Sequence, residues 1–266
     1  MKEIQALLDN INVYDCEYEK IRIGNKSDGG YILLNDICEN TDTLISIGIE
    51  NDVSFDIDFT KKYNKTKINL YDNTITTLPV SHPNFNFFKL NVGNKNTNTT
   101  ITLDKITKDL NNKTLLKMDI EWDEWKIFEK INTDTLLKFN QMVIEFHIIH
   151  IDINNFFTSN NILTPYFNNF YTEVYNKLNQ NLFTKYKKIL KKICKHFYIF
   201  HIHANNSLPK LSINNNSFIP LLELSFVRKD LINTVKKTKC TYPIYNLDFP
   251  NKHYKPDIPL DFINKT

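Results

Sequence analysis

The sequence predicts an α/β fold built on an open, mostly parallel sheet. From Thr43 onward, short apolar segments of strand length alternate with segments of helical spacing, which is typical of parallel βαβ units with right-handed crossovers. Polar residues follow several of the apolar segments, as they do where the strands of such a sheet end at a ligand. The chain has 266 residues, of which 41% are hydrophobic. This is enough for the core of a single domain spanning residues 1–266.

Residues 1–40 are expected to form an N-terminal extension that packs on this domain. Ile4, Leu7 and Leu8 have helical spacing within residues 1–10, and residues 11–24 have an irregular or strand-like pattern. Gly29 and Gly30 allow a tight turn after Asp28. The apolar run that follows them predicts a strand at the margin of the sheet.

Five core strands are predicted next, with helices between them. Helical segments are expected after Asn51 or Asp52, either of which suits an N-cap, and at residues 103–110 and 123–131. The strands are predicted at residues 44–48, 67–72, 85–92, 115–120 and 141–147.

The pattern changes after His147. Residues 154–196 read as a helical insertion that is rich in aromatic residues between Phe156 and Tyr175. The sequence leaves four roles open for these aromatic residues: packing in the core, a platform on which the sugar ring of an acceptor stacks, a lid, or the surface of a homodimer. Two strands, at residues 197–203 and 221–228, are expected to pair antiparallel. The Pro-rich residues 242–266 predict an extended tail.

Composition excludes several classes of function. The formal net charge is +3, and the basic run at residues 185–195 has the spacing of one solvated helix face, so no nucleic-acid partner is expected. The four cysteines are too scattered for a zinc site or a disulfide framework. No long uncharged apolar segment is present, which predicts a soluble cytoplasmic protein without a membrane partner. The abundance of Asn, Lys and Ile indicates an AT-rich genome, such as that of a protist or a large DNA virus.

The turn after the first core strand is the first candidate binding element. It contains Gly48, Glu50 and Asp52, and the chain has neither a G-x-G-x-x-G nor a G-x-x-x-x-G-K-[ST] motif. Phosphate-bearing cofactors are therefore disfavoured. Asp72, at the end of the second strand, suits an uncharged adenosine because a carboxylate can accept two hydrogen bonds from ribose hydroxyls. A strand-terminal Asp that only begins a turn is the alternative.

A second candidate site comes from three pairs of polar residues with i, i+2 spacing at the ends of strands. Residues two apart on a strand share one face. Such acids and imidazoles can deprotonate a hydroxyl, or can bind a divalent cation that lowers the pKa of the hydroxyl. In the third alternative, only one pair faces a site and the others cap strands. The pairs are Asp119 with Glu121, Glu145 with His147, and His201 with His203.

With these residues, the sequence resembles the FkbM-type family of S-adenosylmethionine-dependent methyltransferases. The resemblance covers most of residues 21–262 and depends on the order and spacing of several short pieces. The pieces are Gly24 with Asp28-Gly29-Gly30-Tyr31, residues 46–56, Asp72, residues 116–121, Glu145-Phe146-His147, residues 201–206, residues 221–228, Leu247-Asp248 and Pro250-Asn251.

The resemblance implies a Rossmann-like fold with seven strands in the order 3-2-1-4-5-7-6, strand 7 antiparallel, and helices on both faces. It also implies methylation of a small-molecule or glycan acceptor, with a sugar hydroxyl as the expected target. His147 or His203 is expected to be the base, and Asp119 and Glu121 are expected to orient the base or a cation. Metal candidates are Asp119, Glu121, Glu145 and His147. The expected cofactor-binding residues are Gly48, Glu50, Asp52, Asp72, Asn73 and Asp119.

Two positions depart from the family pattern. Glu50 and Trp122 stand where relatives usually have glycine, and their side chains are expected to narrow the cofactor space. A non-catalytic Rossmann-like scaffold is therefore the alternative function. An enzyme that uses a nucleotide-sugar or nicotinamide cofactor is a further one.

Overall fold

A seven-stranded sheet is the centre of the computed structural model, which describes residues 6–148, 181–213, 216–261 and 263. The aromatic residues 156–175, and with them most of the proposed insertion, lie outside the described residues. The described strands are β1 (Tyr14–Cys16), β2 (Lys20–Ile23), β3 (Tyr31–Leu34), β4 (Thr43–Ile47), β5 (Lys67–Tyr71), β6 (Phe85–Phe88), β7 (Asn91–Gly93), β8 (Thr100–Thr102), β9 (Thr114–Met118), β10 (Phe139–His147), β11 (Phe197–Ala204), β12 (Leu211–Ile213), β13 (Asn216–Phe218), β14 (Leu221–Arg228) and β15 (Val235–Lys237).

The order of strands in the central sheet is β6-β5-β4-β9-β10-β14-β11. Neighbours from β6 to β10 pair in parallel, and β14 is antiparallel to both β10 and β11. Numbered along the chain within this sheet, the order is 3-2-1-4-5-7-6 with strand 7 antiparallel. The predicted fold class is confirmed.

Helices cover both faces of this sheet. The described ones are α1 (Asn35–Glu39), α2 (Ser54–Lys62), α3 (Leu103–Ile106), α4 (Glu124–Lys130), α5 (Thr133–Leu136) and α6 (Asn181–Cys194). Among the residues that the structure describes, no helix is both long and apolar enough to cross a bilayer.

Alternation along the central strands explains the two layers of core. Leu44 of β4 packs in a cluster with Phe59 of α2 on one face, whereas its neighbour Ile45 packs in a cluster with Phe128 of α4 and Ile193 of α6 on the other. Strands buried on both faces need apolar residues at successive positions, as these have. Burial of each large side chain contributes about 1.5–3 kcal/mol.

Three predicted elements differ from the observed ones. The third core strand ends at Phe88 rather than at residue 92, because the N–H of Leu90 donates locally to Phe88 O (2.8 Å) and β7 then pairs with β8 in a separate ribbon. The helix predicted at 103–110 ends at Ile106, and Thr107, Asp109, Asn111 and Asn112, which follow it, are poor helix formers. β3 does not join the margin of the central sheet but pairs with β2.

The C-terminal tail, residues 242–261 and 263, has turns and no helix among its described residues. It is not confined to the surface. Tyr242, Ile258 and Leu260 are buried, and Asp248 and Asp257 bond to histidines of β11. The tail therefore contributes polar partners to the interior of the domain.

The basic run at residues 185–195 lies largely in α6. Phe183, Tyr186 and Ile189 are buried on its inner face, whereas Lys188 and Lys191 are exposed. This is the amphipathic helix that the sequence predicts.

Candidate active site

A cavity of about 930 Å³ lies at the carboxyl ends of β4, β9 and β10. β5 and β6 are added to the sheet on one side of β4, whereas β9 and β10 are added on the other side. Open α/β sheets bind ligands at the point where the strand order switches in this way. The cavity is lined by Asp28, Gly29, Tyr31, Gly48, Ile49, Glu50, Asn51, Asp52, Phe55, Asp56, Lys117, Asp119, Glu121, Trp122, Glu145, His147, Asn205, Ser207, Leu208, Leu221 and Lys252.

Gly48 brings the turn after β4 against the end of β9. Its φ is +70°, and a Cβ at this position would lie 1.6 Å from the backbone oxygen of Asp119. The N–H of Asp119 donates to Ile47 O (3.1 Å), which extends the pairing of the two strands by one residue. Only glycine allows this approach, so Gly48 positions Asp119 on the cavity wall.

Glu50 and Trp122, the two departures from the family pattern, keep the backbone conformation of glycine. Their φ values are +44° and +84°, both left-handed, and Glu121 has a φ of +52°. The Glu50 side chain is exposed, and the ring of Trp122 packs on His147 with centroids 4.8 Å apart. Both residues are among those that line the cavity.

Asp72 supports the turn rather than the cavity. Its Oδ2 accepts hydrogen bonds from the N–H groups of Ile49 (3.0 Å) and Glu50 (2.8 Å), and its Oδ1 accepts from the N–H and hydroxyl of Thr74, both at 2.6 Å. Burial alone would raise the pKa of Asp72, but these bonds outweigh burial and lower it. Neither Asp72 nor Asn73 is among the lining residues. Asp72 thus braces the turn after β4, and its expected contact with a ribose stays a prediction.

Asp119, Glu145 and His147 meet at the cavity wall. One ligand-type atom from each lies within 4.8 Å of the others. His147 Nε2 is 3.2 Å from Glu121 Oε2 and 3.7 Å from Glu145 Oε1. His147 Nδ1 is 3.1 Å from Oε1 of the fully buried Glu124. All four sequence-predicted metal candidates therefore converge, and two carboxylates with one imidazole are a donor set that suits a divalent cation.

The charges in this group strongly shift its pKa values. Burial disfavours the imidazolium of His147, but the bonds to Glu121 and Glu124 outweigh it and raise the pKa of His147 to about 11. Burial raises the pKa of Asp119 to about 6, opposed by the charges of Lys117 and His147. Burial, with the nearby charge of Asp119, raises the pKa of Glu145 well above its usual value. The surrounding acids therefore favour the imidazolium form of His147, which makes this side chain a weaker candidate for the base than a carboxylate.

The third predicted pair, His201 and His203, does not reach the cavity. His203 Nδ1 lies 3.0 Å from Glu223 Oε2, and its Nε2 lies 3.0 Å from Asp257 Oδ1. His201 Nε2 lies 2.7 Å from Asp248 Oδ1. Neither histidine is among the lining residues. The geometry assigns both to the attachment of the C-terminal tail, which departs from the expected role of His203 as a base.

Several residues of the wall were not singled out from the sequence. Lys117 is a buried lysine within β9, and its ammonium donates to the carbonyl oxygens of Ile47 and Gly48. Asn205 donates from Nδ2 to both oxygens of Glu145, at 3.2 and 3.1 Å. Asp56 lies in the first turn of α2. A lysine inside an apolar strand was a signal for Lys117. All three residues lie within pieces of the family resemblance, but no pattern in the sequence assigned any of them a role in the wall.

The strand order and the site define the class of fold: this is a Rossmann-like sheet of the seven-stranded kind that the resemblance to methyltransferases implies. No protein-family model matches the sequence, and no curated protein matches it.

Two solved structures have a distant likeness to this chain. A chain of a fibrillarin/Nop5p complex is 11% identical with a TM-score of 0.37, the match covering 71% of this chain and 73% of that one. The Methanococcus jannaschii fibrillarin pre-rRNA processing protein is also 11% identical, with a TM-score of 0.38 and coverage of 80% and 83%. At these values the likeness carries no weight for function.

Proposed function

We propose that the protein is an S-adenosylmethionine-dependent methyltransferase that methylates an oxygen of its acceptor, a sugar or glycan hydroxyl. The observation that carries the proposal is the acidic cavity at the switch point of this sheet. The resemblance of residues 21–262 to the FkbM-type family supports the same function and suggests the acceptor class.

The charge of the cavity favours this cofactor over its rivals. Lys117, Lys252 and His147 are the basic residues of the wall. S-adenosylmethionine has a sulfonium, an ammonium and one carboxylate, so it is a net cation. The wall has more acidic residues than basic ones: Asp28, Glu50, Asp52, Asp56, Asp119, Glu121 and Glu145. These acids would repel the diphosphate of a nicotinamide dinucleotide or a nucleotide sugar.

The protein has two tasks in such a reaction, since the bound cofactor supplies a methyl group that its sulfonium already activates. The wall must hold the acceptor hydroxyl in line with that methyl group, and a side chain must take the hydroxyl proton. The cofactor lies against the turn that contains Gly48, Glu50 and Asp52 in our proposal. The acceptor lies on the side of Glu145, His147 and Asn205.

Asp119 is the preferred proton acceptor because its carboxylate has the weakest protein contacts in the group. Its Oδ2 is 3.4 Å from the hydroxyl of Tyr31, whereas Glu124 accepts from the N–H of Ile120 (3.1 Å) and lies against His147. Glu145 is held by Asn205. The imidazolium of His147 and the ammonium of Lys117 would stabilise the negative charge on Asp119 before transfer. The base is thus a carboxylate rather than either of the predicted histidines.

Binding and turnover test this proposal separately. Calorimetry should show binding of both S-adenosylmethionine and S-adenosylhomocysteine, and a scaffold without cofactor binding would show neither. Methyl transfer is then measured with the wild-type protein on a panel of monosaccharides, oligosaccharides and RNA oligonucleotides. Methylation of RNA alone would contradict a small-molecule or glycan acceptor, because the target would then be the ribose hydroxyl of a nucleic acid. Chelation followed by readdition of Mg²⁺ or Mn²⁺ shows whether Asp119, Glu145 and His147 act through a cation.

Asp119→Asn should lower turnover roughly 100-fold or more, because general-base catalysis contributes about 10²–10⁴-fold. Cofactor affinity should fall much less than turnover, since the substitution preserves the shape of the wall and leaves its other acids in place. Asp123→Asn is the matched control, because Asp123 is half-exposed and pairs with Lys126 at the surface (2.6 Å). If Asp119→Asn had the turnover of the wild type, Asp119 would not be the base that accepts the hydroxyl proton.

A further inference from the structure

Asp56 is a buried carboxylate on the cavity wall with an unsatisfied oxygen. The residue lies in the first turn of α2 and is only 1% exposed. It lines the cavity, and its Oδ1 has no hydrogen-bond partner among the described residues. A buried carboxylate oxygen without a donor costs free energy in the empty protein. A ligand that donated a hydrogen bond to this oxygen would offset that cost.

The groups around Asp56 do not neutralise it. The positive charge of Lys117 lowers the pKa of Asp56, but the Lys117 ammonium donates to the backbone oxygens of Ile47 and Gly48. The hydroxyl of Ser46 also lowers this pKa, although neither Ser46 Oγ nor Asp56 Oδ1 has a hydrogen bond of good geometry among the described residues. Asp52 adds a second negative charge that raises the pKa. Burial therefore dominates over Lys117 and Ser46 and raises the pKa of Asp56 to about 6.

We propose that Asp56 binds the α-ammonium group of S-adenosylmethionine. This inference depends on the proposed function and adds to it the carboxylate that recognises the amino-acid end of the cofactor. Among the cationic groups of the cofactor, the sulfonium has no N–H or O–H to donate, whereas the ammonium has three. A hydrogen bond between two charged groups is about twice as strong as a neutral one, which favours the ammonium over the ribose hydroxyls.

Asp56 should therefore contribute binding affinity at the expense of stability. The folded protein holds a proton on Asp56 up to about pH 6, compared with 3.8 for an ordinary Asp, so stability falls as the pH rises between these values. Above that range the empty protein contains an uncompensated buried charge. Asp56→Asn removes the charge and preserves the shape.

Calorimetry with two ligands tests the contact. Asp56→Asn should weaken binding of S-adenosylhomocysteine roughly 10- to 100-fold, the range for losing a hydrogen bond between charged groups. Its affinity for 5′-methylthioadenosine, which has the adenosine and the thioether but no amino-acid group, should match that of the wild type. Asp58→Asn is the control on the same helix, because Asp58 is at the surface and pairs with Lys61 (2.8 Å). It should change neither affinity.

Urea unfolding provides a readout that does not depend on the cofactor. The unfolding midpoint of Asp56→Asn should exceed that of the wild type at pH 8, and this advantage should be clearly smaller at pH 5, which lies between the pKa of an ordinary Asp, 3.8, and the raised pKa of Asp56, about 6. Equal affinity of wild type and Asp56→Asn for S-adenosylhomocysteine would overturn the assignment, as would an equal loss for both ligands. If the wild type binds neither S-adenosylmethionine nor S-adenosylhomocysteine, the proposed function itself fails.

Discussion

Single residues at the turns after β4 and β9 determine whether the cavity is open. The sequence suggests that Glu50 and Trp122, in place of glycine, narrow the cofactor space. Their left-handed backbones show that the chain keeps the turn geometry of glycine and accepts a strain of about 1–2 kcal/mol per residue. Such strain is concentrated at functional sites in many proteins. Both residues line the cavity, and their effect on the space for a cofactor stays a prediction.

Replacing Gly48 with alanine should destabilise the protein by about 2–4 kcal/mol, since the new methyl group would overlap the backbone of Asp119 and the positive φ adds strain. Urea denaturation measures the loss. Gly93→Ala is the control, because its Cβ would meet only the Cγ2 of Thr100, at 2.8 Å, and a side chain can move. Equal losses in the two variants would contradict the close approach of Gly48 to Asp119.

The C-terminal tail and strands β11 and β14 form one structural unit through buried polar pairs. His201 bonds to Asp248 and His203 to Asp257, with sequence separations of 47 and 54 residues. Asn251 of the tail also donates to Glu223 of β14 (2.8 Å). The i, i+2 spacing of the histidines correctly predicts that they share a face. Spacing could not show whether that face meets the cavity or the tail, because the tail lies far along the chain.

Asp248→Ala should destabilise the protein by about 2–5 kcal/mol, because two donors would be left unsatisfied at about 1–3 kcal/mol each. Asp248 is buried, accepts from the N–H of Ile244 (2.7 Å) and bonds to His201, so both partners would lose their acceptor. Asp261→Ala is the control, because Asp261 is exposed and pairs with Lys210 at the surface. Urea denaturation of both variants checks the difference, and similar midpoints would show that the Asp248 pair does not hold the tail.

The stability of the whole molecule should depend on pH, because alkaline pH should weaken the attachment of the C-terminal tail to the central sheet. The charges of Glu223, Asp257 and Asp248 outweigh burial and raise the pKa of His203 from 6.5 to about 10. The folded protein therefore retains a proton that the unfolded chain loses. The stabilisation is complete below pH 6.5 and is lost as the pH rises through about 10.

The variant His203→Gln should thus be less stable than the wild type at pH 6, and the difference should shrink by pH 10. Urea unfolding across this pH range measures it, with His253→Gln, a change at an exposed histidine, as the control. A difference that stays constant with pH would mean that the ion pairs of His203 do not contribute.

The sequence by itself determined the alternation of strands and helices and the location of the candidate acids at strand ends. These features depend on local periodicity, since runs such as residues 115–118 must be buried on both faces wherever they lie in a parallel sheet. The tertiary structure alone decided which polar groups meet. Asp119, Glu145 and His147 come together because β9 and β10 are neighbours. Asp72, His201 and His203 have partners within the protein, and Asp56 faces the cavity from a helix. Such contacts join segments that are distant in sequence, so no local pattern records them.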